Sequence, residues 1–134
     1  MIKWLLDTNV CIAIMNQKPI SVIKELKKHE VDSVAISAIS LYELHYGVYK
    51  SQMTDRNKKT LTAFLQYIQV LDWTDECAEV AGEIRSTLEK KGSLIGPYDM
   101  LIAAHAKCLN ATLVSHNTKE FSRVNGLELV DWVN

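Results

Sequence analysis

The 134-residue chain has only two prolines, five glycines and two phenylalanines, and no tract rich in proline, glycine or serine. That excludes a flexible linker, a low-complexity arm and a collagen-like segment, and no internal repeat is visible. Long hydrophobic runs are also missing. The longest apolar stretches, such as Trp4–Leu6 and Val10–Met15, fall far short of the ~20 residues that a membrane span needs. The first residues lack a signal-peptide pattern, so secretion and membrane insertion are both disfavoured. The three cysteines, Cys11, Cys77 and Cys108, are odd in number, widely spaced and without a C-x-x-C pair. This argues against a disulfide scaffold or zinc site and for reduced, mostly buried thiols in a cytoplasmic protein. Nor is there a surplus of either charge. Fifteen Lys+Arg against sixteen Asp+Glu leave a net charge of −1, so any case for nucleic-acid binding rests on local patches.

What is present is a globular balance, 48% hydrophobic and 23% charged, in a chain long enough for one domain, residues 1–134, with one core. Ile2–Leu6 reads as a short buried strand that runs through Asp7-Thr8-Asn9 into a densely apolar helix, Val10–Met15. After Pro19, Ile20–Glu30 reads as an amphipathic surface helix. Ser33–Ser37 is β-prone and feeds a helix for which Ser40 is the expected N-cap, with Glu43 at capping-box spacing. Thr54–Ile68 is helical and Val70–Trp73 strand-like. Thr74 then caps a helix that carries Asp75 and Glu76 in its first turn and stops at Lys90-Lys91-Gly92. Gly96-Pro97-Tyr98-Asp99 opens the helix Met100–Leu109, Ala111–Ser115 is the next strand, and Leu127–Val130 is a possible last one. This alternation implies an α/β fold, a mainly parallel central sheet flanked by helices on both faces, with its ligand crevice at the carboxyl ends of the strands.

Three polar clusters fall beside those strand ends and helix starts: Asp7-Thr8-Asn9, Asp99, and Ser115-His116-Asn117. Asp7 and Asp99 each also suit plain helix capping. Thr8 and Asn9 are placed to orient the Asp7 carboxylate. Glu43 reads either as the capping partner of Ser40 or as a side chain pointing into the crevice, with Gly47 leaving open space one turn on. Carboxylates gathered in one crevice repel one another unless a cation neutralises them, and all-oxygen ligation selects hard ions such as Mg²⁺ or Mn²⁺. Such a cluster suits phosphodiester hydrolysis by metal-activated water. His116 reads as a hydrogen-bonding surface or crevice residue rather than a general base. His45 and His105 lack partners at zinc spacing, and His29 reads as a cation near a helix end.

Taken in order, Leu6-Asp7-Thr8-Asn9, Ser40-Leu41-Tyr42-Glu43-Leu44 with Gly47, Gly96-Pro97-Tyr98-Asp99-Met100-Leu101-Ile102-Ala103-Ala104-His105-Ala106, and Ser115-His116-Asn117-Thr118-Lys119-Glu120-Phe121 closely resemble the PIN-domain ribonucleases. The likeness is to the VapC toxins of bacterial toxin–antitoxin pairs, and it covers essentially the whole chain. It implies a PIN-like, Rossmann-like domain in which Asp7 and Asp99 bind Mg²⁺, with Mn²⁺ as a substitute. Glu43 would bind or position metal and water, and Thr8 and Asn9 would support the first strand. Asn117 stands where the family often has an aspartate, an amide able to accept a hydrogen bond from metal-bound water while adding no charge. The resemblance further implies an endoribonuclease toxin that cuts a structured RNA, a tRNA anticodon stem-loop, initiator tRNA or ribosomal RNA, and so inhibits translation. It implies homodimers and a higher-order complex with a VapB-type antitoxin, which reaches operator DNA on the pair's behalf.

Lys50, Arg56, Lys58 and Lys59 follow Glu43, and Lys90-Lys91 adjoin the loop to Asp99. They read either as an RNA-phosphate patch flanking the crevice or as an ordinary solvated face. Exposed apolar side chains on the helices from Ile39 to Phe64 are the candidate surface for the antitoxin. Two other readings stay open, a metal-dependent DNA or flap-type nuclease on the same fold, and a non-catalytic RNA-binding module.

Overall fold

The computed structural model describes residues 1–134. Strands β1 (Trp4–Leu6), β2 (Val34–Ser37), β3 (Gln69–Leu71), β4 (Thr112–Val114) and β5 (Leu129–Val130) alternate with seven helices. These are α1 (Thr8–Asn16), α2 (Ile20–Leu26), α3 (Ala38–Lys50), α4 (Thr54–Leu65), α5 (Asp75–Lys90), α6 (Pro97–Leu109) and α7 (Thr118–Phe121). The strands form one sheet in the order β3-β2-β1-β4-β5, and every pairing is parallel. No helix is long and apolar enough to cross a membrane.

Side chains alternate across a strand, so each short strand serves two faces. Leu5, Ala35 and Leu113 join one apolar cluster with Ile84 and Leu88 of α5 and Ile102 and Ala103 of α6. Leu6, Val34, Ile36 and Val114 join the other, with Val10 of α1, Leu44 and Val48 of α3, and Leu61 and Phe64 of α4. The sheet is thus the middle layer of three. Because β1 is central, the chain runs outward through β2 and β3, then crosses to β4 and β5 on the other side. The order reverses between β1 and β4, and a crevice opens at the carboxyl ends of strands at such a reversal.

The helix boundaries follow local chemistry. Thr74 accepts the Cys77 N–H at the start of α5, and the helix ends in Lys90 and Lys91 before Gly92, whose φ of +64° only glycine takes without strain. Pro97 occupies the first turn of α6, where its missing N–H costs nothing. The second helix is shorter than its periodicity predicts, ending at Leu26, with a 3₁₀ turn at Val31–Ser33 leading to β2. The helix after β2 begins at Ala38, earlier than its capping pattern predicts: Ser37, the last strand residue, accepts the Ile39 N–H at 3.1 Å. Ser40 is buried inside α3, so it is not the N-cap and Glu43 is not its capping-box partner. The four-residue α7 was not legible in the sequence, being too short to show a periodicity. All three cysteines are free, Cys11 and Cys77 buried and Cys108 half-buried.

Candidate active site

Asp7 follows the central strand directly. Its backbone N–H donates to the Val114 carbonyl at 3.0 Å, which continues the β1–β4 ladder by one residue and fixes Asp7 beside Ser115 at the reversal point. The carboxylate is only 5% exposed. Its Oδ1 accepts the Val10 N–H at 2.8 Å, so Asp7 caps α1 and faces the crevice at once. Burial pushes this carboxyl up, the Ser115 hydroxyl and the Val10 N–H pull it down, and the charge on Glu43 raises it again.

The supports of this carboxylate differ from those the sequence predicts. Thr8 turns its hydroxyl away from Asp7, donating to Glu43 Oε1 at 2.6 Å and lying 3.2 Å from Ser40 Oγ. Asn9 is exposed on the first turn of α1, and the hydrogen bond to the Asp7 carboxylate comes from the Val10 N–H instead, with the Ser115 hydroxyl acting to lower its pKa. Successive helical residues diverge by about 100°, so only one of Thr8 and Asn9 faces the sheet end. Thr8 therefore ties Glu43 of α3 to the end of β1.

Asp99 sits in the first turn of α6. Its Oδ2 leans back over Gly96, where an added Cβ would stand 3.3 Å away. Burial pushes its carboxyl up to about 6, and the charges on Glu43, Asp7 and Glu120 add to the rise. That is the electrostatic sign of a shared site: carboxylates from the end of β1, α3, α6 and α7 feel one another in a half-buried space. None of Asp7, Glu43, Asp99 or Glu120 takes part in a salt bridge.

Glu120 is the member that residue-by-residue reading missed. It lies within the stretch Ser115–Phe121, but only α7 reveals that it turns back toward the crevice. The Asn117 side-chain amide donates to Glu120 Oε2 at 3.2 Å, and the Asn117 N–H donates to Ser115 Oγ at 2.9 Å. Asn117 thus braces an acid in place of bringing one. His116 is exposed, its Nδ1 2.9 Å from Asp131, at the rim. His105 is buried, hydrogen-bonded through Nδ1 to Ser37 Oγ at 2.8 Å, and burial holds its pKa down. His29 lies just past the end of α2, with Nε2 3.4 Å from Glu25 Oε1, and is also held by aromatic contact. Its ring stacks on Trp132 with centroids 5.2 Å apart and lies 4.5 Å from Trp4.

The donor set is all oxygen and all acidic, and no lysine or arginine pairs with it; the nearest cationic group is His116 at the rim, whose charge lowers Asp7 slightly. In chemistry this fits a hard divalent ion. The side chains do not close on one point, however, and no group of three His, Cys, Asp or Glu residues stands close enough to enclose an ion unaided. An open arrangement of this kind leaves coordination positions for water and phosphate oxygens. The six basic residues, Lys50, Arg56, Lys58, Lys59, Lys90 and Lys91, are all exposed. Lys50 and Lys58 lie over tyrosine rings, 5.4 Å from the centroid of Tyr46 and 5.9 Å from that of Tyr49.

Comparison with known proteins agrees with this frame. Residues 4–127 match the PIN-domain family. The tRNA(fMet)-specific endonuclease VapC of Shigella flexneri is 41% identical over 132 residues, 98% of this chain and 99% of that one. Ribonuclease VapC2 of Rickettsia felis is 42% identical over 130 residues, covering 96% and 97% of the two chains. The crystal structure of VapBC2 from Rickettsia felis, bound to a DNA fragment from their promoter, superposes with a TM-score of 0.91 at 42% identity, over 98% of this chain and 99% of that one.

Proposed function

Because this chain belongs to the PIN-domain family, among its VapC-type ribonucleases, we propose that it is a toxin that hydrolyses a tRNA, with initiator tRNA as its first candidate substrate, using a bound Mg²⁺ or Mn²⁺ ion. The observation that carries the reading is the acidic cluster of Asp7, Glu43, Asp99 and Glu120 at the strand-order reversal, unpaired by any salt bridge, with Asp99 raised to about 6 by burial and its acidic neighbours. Asp7 and Asp99 are the residues to hold the ion, with Glu43 and Glu120 completing the acidic wall. A divalent ion bound there supplies a water of lowered pKa and charge stabilisation at the scissile phosphate.

The chain's own groups fix that wall. The Val10 N–H and Ser115 hold Asp7, the Thr8 hydroxyl holds Glu43, and Asn117 holds Glu120. Such bracing keeps like charges oriented toward the crevice. The exposed lysines are the candidate phosphate contacts, with affinity that falls as salt rises. The curated relatives' ribonuclease activity favours RNA over DNA and an enzyme over a binding module.

The VapBC2 complex supports a VapB-type antitoxin as partner, with operator DNA contacted through it. A largely apolar cavity of ≈ 840 Å³ is lined by residues that include Ile14, Ile23, Leu26, Ala63, Phe64 and Ile68. Its walls come mainly from α1, α2 and α4 and the segments that follow them, and it suits an amphipathic segment of such a partner. The deciding experiment is incubation of antitoxin-free protein with total tRNA, in Mg²⁺ or in EDTA, beside Asp7→Ala. Discrete fragments that need both the metal and Asp7 are expected, and cleavage that persists without either would overturn the proposal.

A further inference from the structure

The tyrosines of this chain do not behave as core residues. Tyr42, Tyr46 and Tyr49 recur at helical spacing along one side of α3 and stand 51%, 59% and 63% exposed. Tyr98, on the first turn of α6, is 43% exposed. A monomer with this many bared rings on one face presents a surface for something else to cover.

Position says what that is. Tyr42 precedes Glu43 and Tyr98 precedes Asp99 in the chain, so the two rings stand at the rim of the acidic cluster, one from each helix. They meet there: the hydroxyls are 3.3 Å apart, and the rings are tilted with centroids 5.4 Å apart. Away from the rim, Lys50 and Lys58 sit over Tyr46 and Tyr49, so rings alternate with cations along the same face. Aromatic rings interleaved with lysines match the chemistry of an unpaired polynucleotide strand, whose bases stack on rings and whose phosphates pair with ammonium groups. A purely apolar protein partner would not call for the two lysines, and a base-paired helix offers no free base to stack.

We propose that Tyr42 and Tyr98 together clamp an unpaired base flanking the scissile phosphodiester by stacking it on an outer face of their touching ring pair, with Tyr46, Tyr49 and their lysines carrying the strand onward along α3. This rests on the nuclease reading above and deepens it by naming the residues that would favour an unpaired loop over a stem at the cut. The clamp acts by positioning. The ring faces provide the contact, and the exposed hydroxyl pair adds little to it.

The test is RNA binding in EDTA, where hydrolysis does not intervene. A hairpin RNA carrying a fluorescent purine analogue in its unpaired loop is titrated with wild type, Tyr42→Ala, Tyr98→Ala and Tyr42→Phe, beside a hairpin with the analogue in its stem. Each alanine variant is expected to bind the loop-labelled hairpin about tenfold more weakly than wild type. Tyr42→Phe, which keeps the ring, should bind within about twofold of wild type, and the stem-placed analogue should not respond. Circular dichroism checks that the variants fold, and Tyr42→Leu repeats the test with bulk kept and the ring face removed. Alanine and leucine variants that bind as wild type does would overturn the clamp. So would variants whose loss of binding coincides with dissociation to monomer in sedimentation velocity, which would assign the face to a second copy of the chain. The two readings fail separately. A wild type that grips the loop but never cuts tRNA in Mg²⁺ would sink the nuclease and keep the clamp, and full cleavage by Tyr42→Ala would do the reverse.

Discussion

Asp99 states most plainly what the crevice demands. A carboxylate that ionises near 6 in the folded protein and near 3.8 in the unfolded chain binds its proton more tightly when folded. Between those values the folded state carries the extra proton, so stability falls as pH rises through the window, and the full cost of the buried charge is present above it. Replacing the acid with an isosteric amide removes that cost. In EDTA, Asp99→Asn should therefore melt above wild type at about pH 8, with the difference shrinking toward about pH 4. Thermal melts across that range decide it, and a difference that does not change with pH would mean that Asp99 is not held protonated by its surroundings. Asp7 is displaced in the same direction by burial, so the same sign applies to Asp7→Asn. That exchange also weakens the cap on α1, since only one amide atom can accept the Val10 N–H. The cleaner readout is at Asp99.

Among the elements, α6 and α3 matter most, because each carries an acid to the crevice and each is anchored by hydrogen bonds near the same strand ends. Trp73 Nε1 donates to the Leu101 carbonyl at 3.0 Å, and His105 meets Ser37 Oγ at 2.8 Å, while that same oxygen accepts the Ile39 N–H that starts α3. One buried hydroxyl thus serves β2, α3 and α6 together. Ser37→Ala should remove the cap, typically worth about 1 kcal/mol, and leave a buried imidazole nitrogen unpaired at about 1–3 kcal/mol. A lowered urea midpoint at unchanged slope is the expected result, and a loss under about 0.5 kcal/mol would show that the junction contributes little. This junction also marks where the sequence stopped being legible. The alternation of strands and helices, the Thr74 cap and the Lys90-Lys91-Gly92 stop were readable because each depends on neighbours in the chain. Ser40 drew the cap assignment because Ser and Glu at that spacing make a capping box in isolation. Whether the cap falls on Ser37 or Ser40 is decided by the end of β2, and thus by its pairing with β1 and β3, which no local pattern contains. Glu120 was hidden for the same reason, since its direction depends on a single turn of helix after β4. Asp7, Glu43 and Asp99 were recognisable as candidates from strand ends and resemblance, whereas Thr8 was assigned to the wrong carboxylate because the partner across the crevice, Glu43, is 35 residues away.

At the scale of the whole molecule, the all-parallel sheet gathers acids from four separate elements into one place, and the charge they carry there is destabilising until something neutralises it. The salt bridges of the chain lie at the end of α2, on α5 and between His116 and Asp131 at the crevice rim, and none includes Asp7, Glu43, Asp99 or Glu120, so the only internal relief the acids receive from a charged side chain is the weak pull of His116 on Asp7. Stability and ion binding must then be linked. An ion that binds the folded crevice and not the unfolded chain adds RT ln(1 + [L]/Kd), about 2.7 kcal/mol at a free concentration about one hundred times Kd. For a chain of this length that corresponds to a rise in melting temperature of about 10 °C. Wild type should show such a rise as Mn²⁺ is added, saturating with concentration, and Asp7→Asn and Asp99→Asn should show little of it. The variants separate the crevice from nonspecific effects, because sodium chloride at matched ionic strength screens surface charges equally in all three proteins. If wild type and both variants gain the same few degrees, the ion is acting on the surface, and the acids at the strand-order reversal do not form a metal site. If only wild type responds, the crevice that costs the metal-free fold its stability is the place where the ion binds, and the same carboxylates account for both.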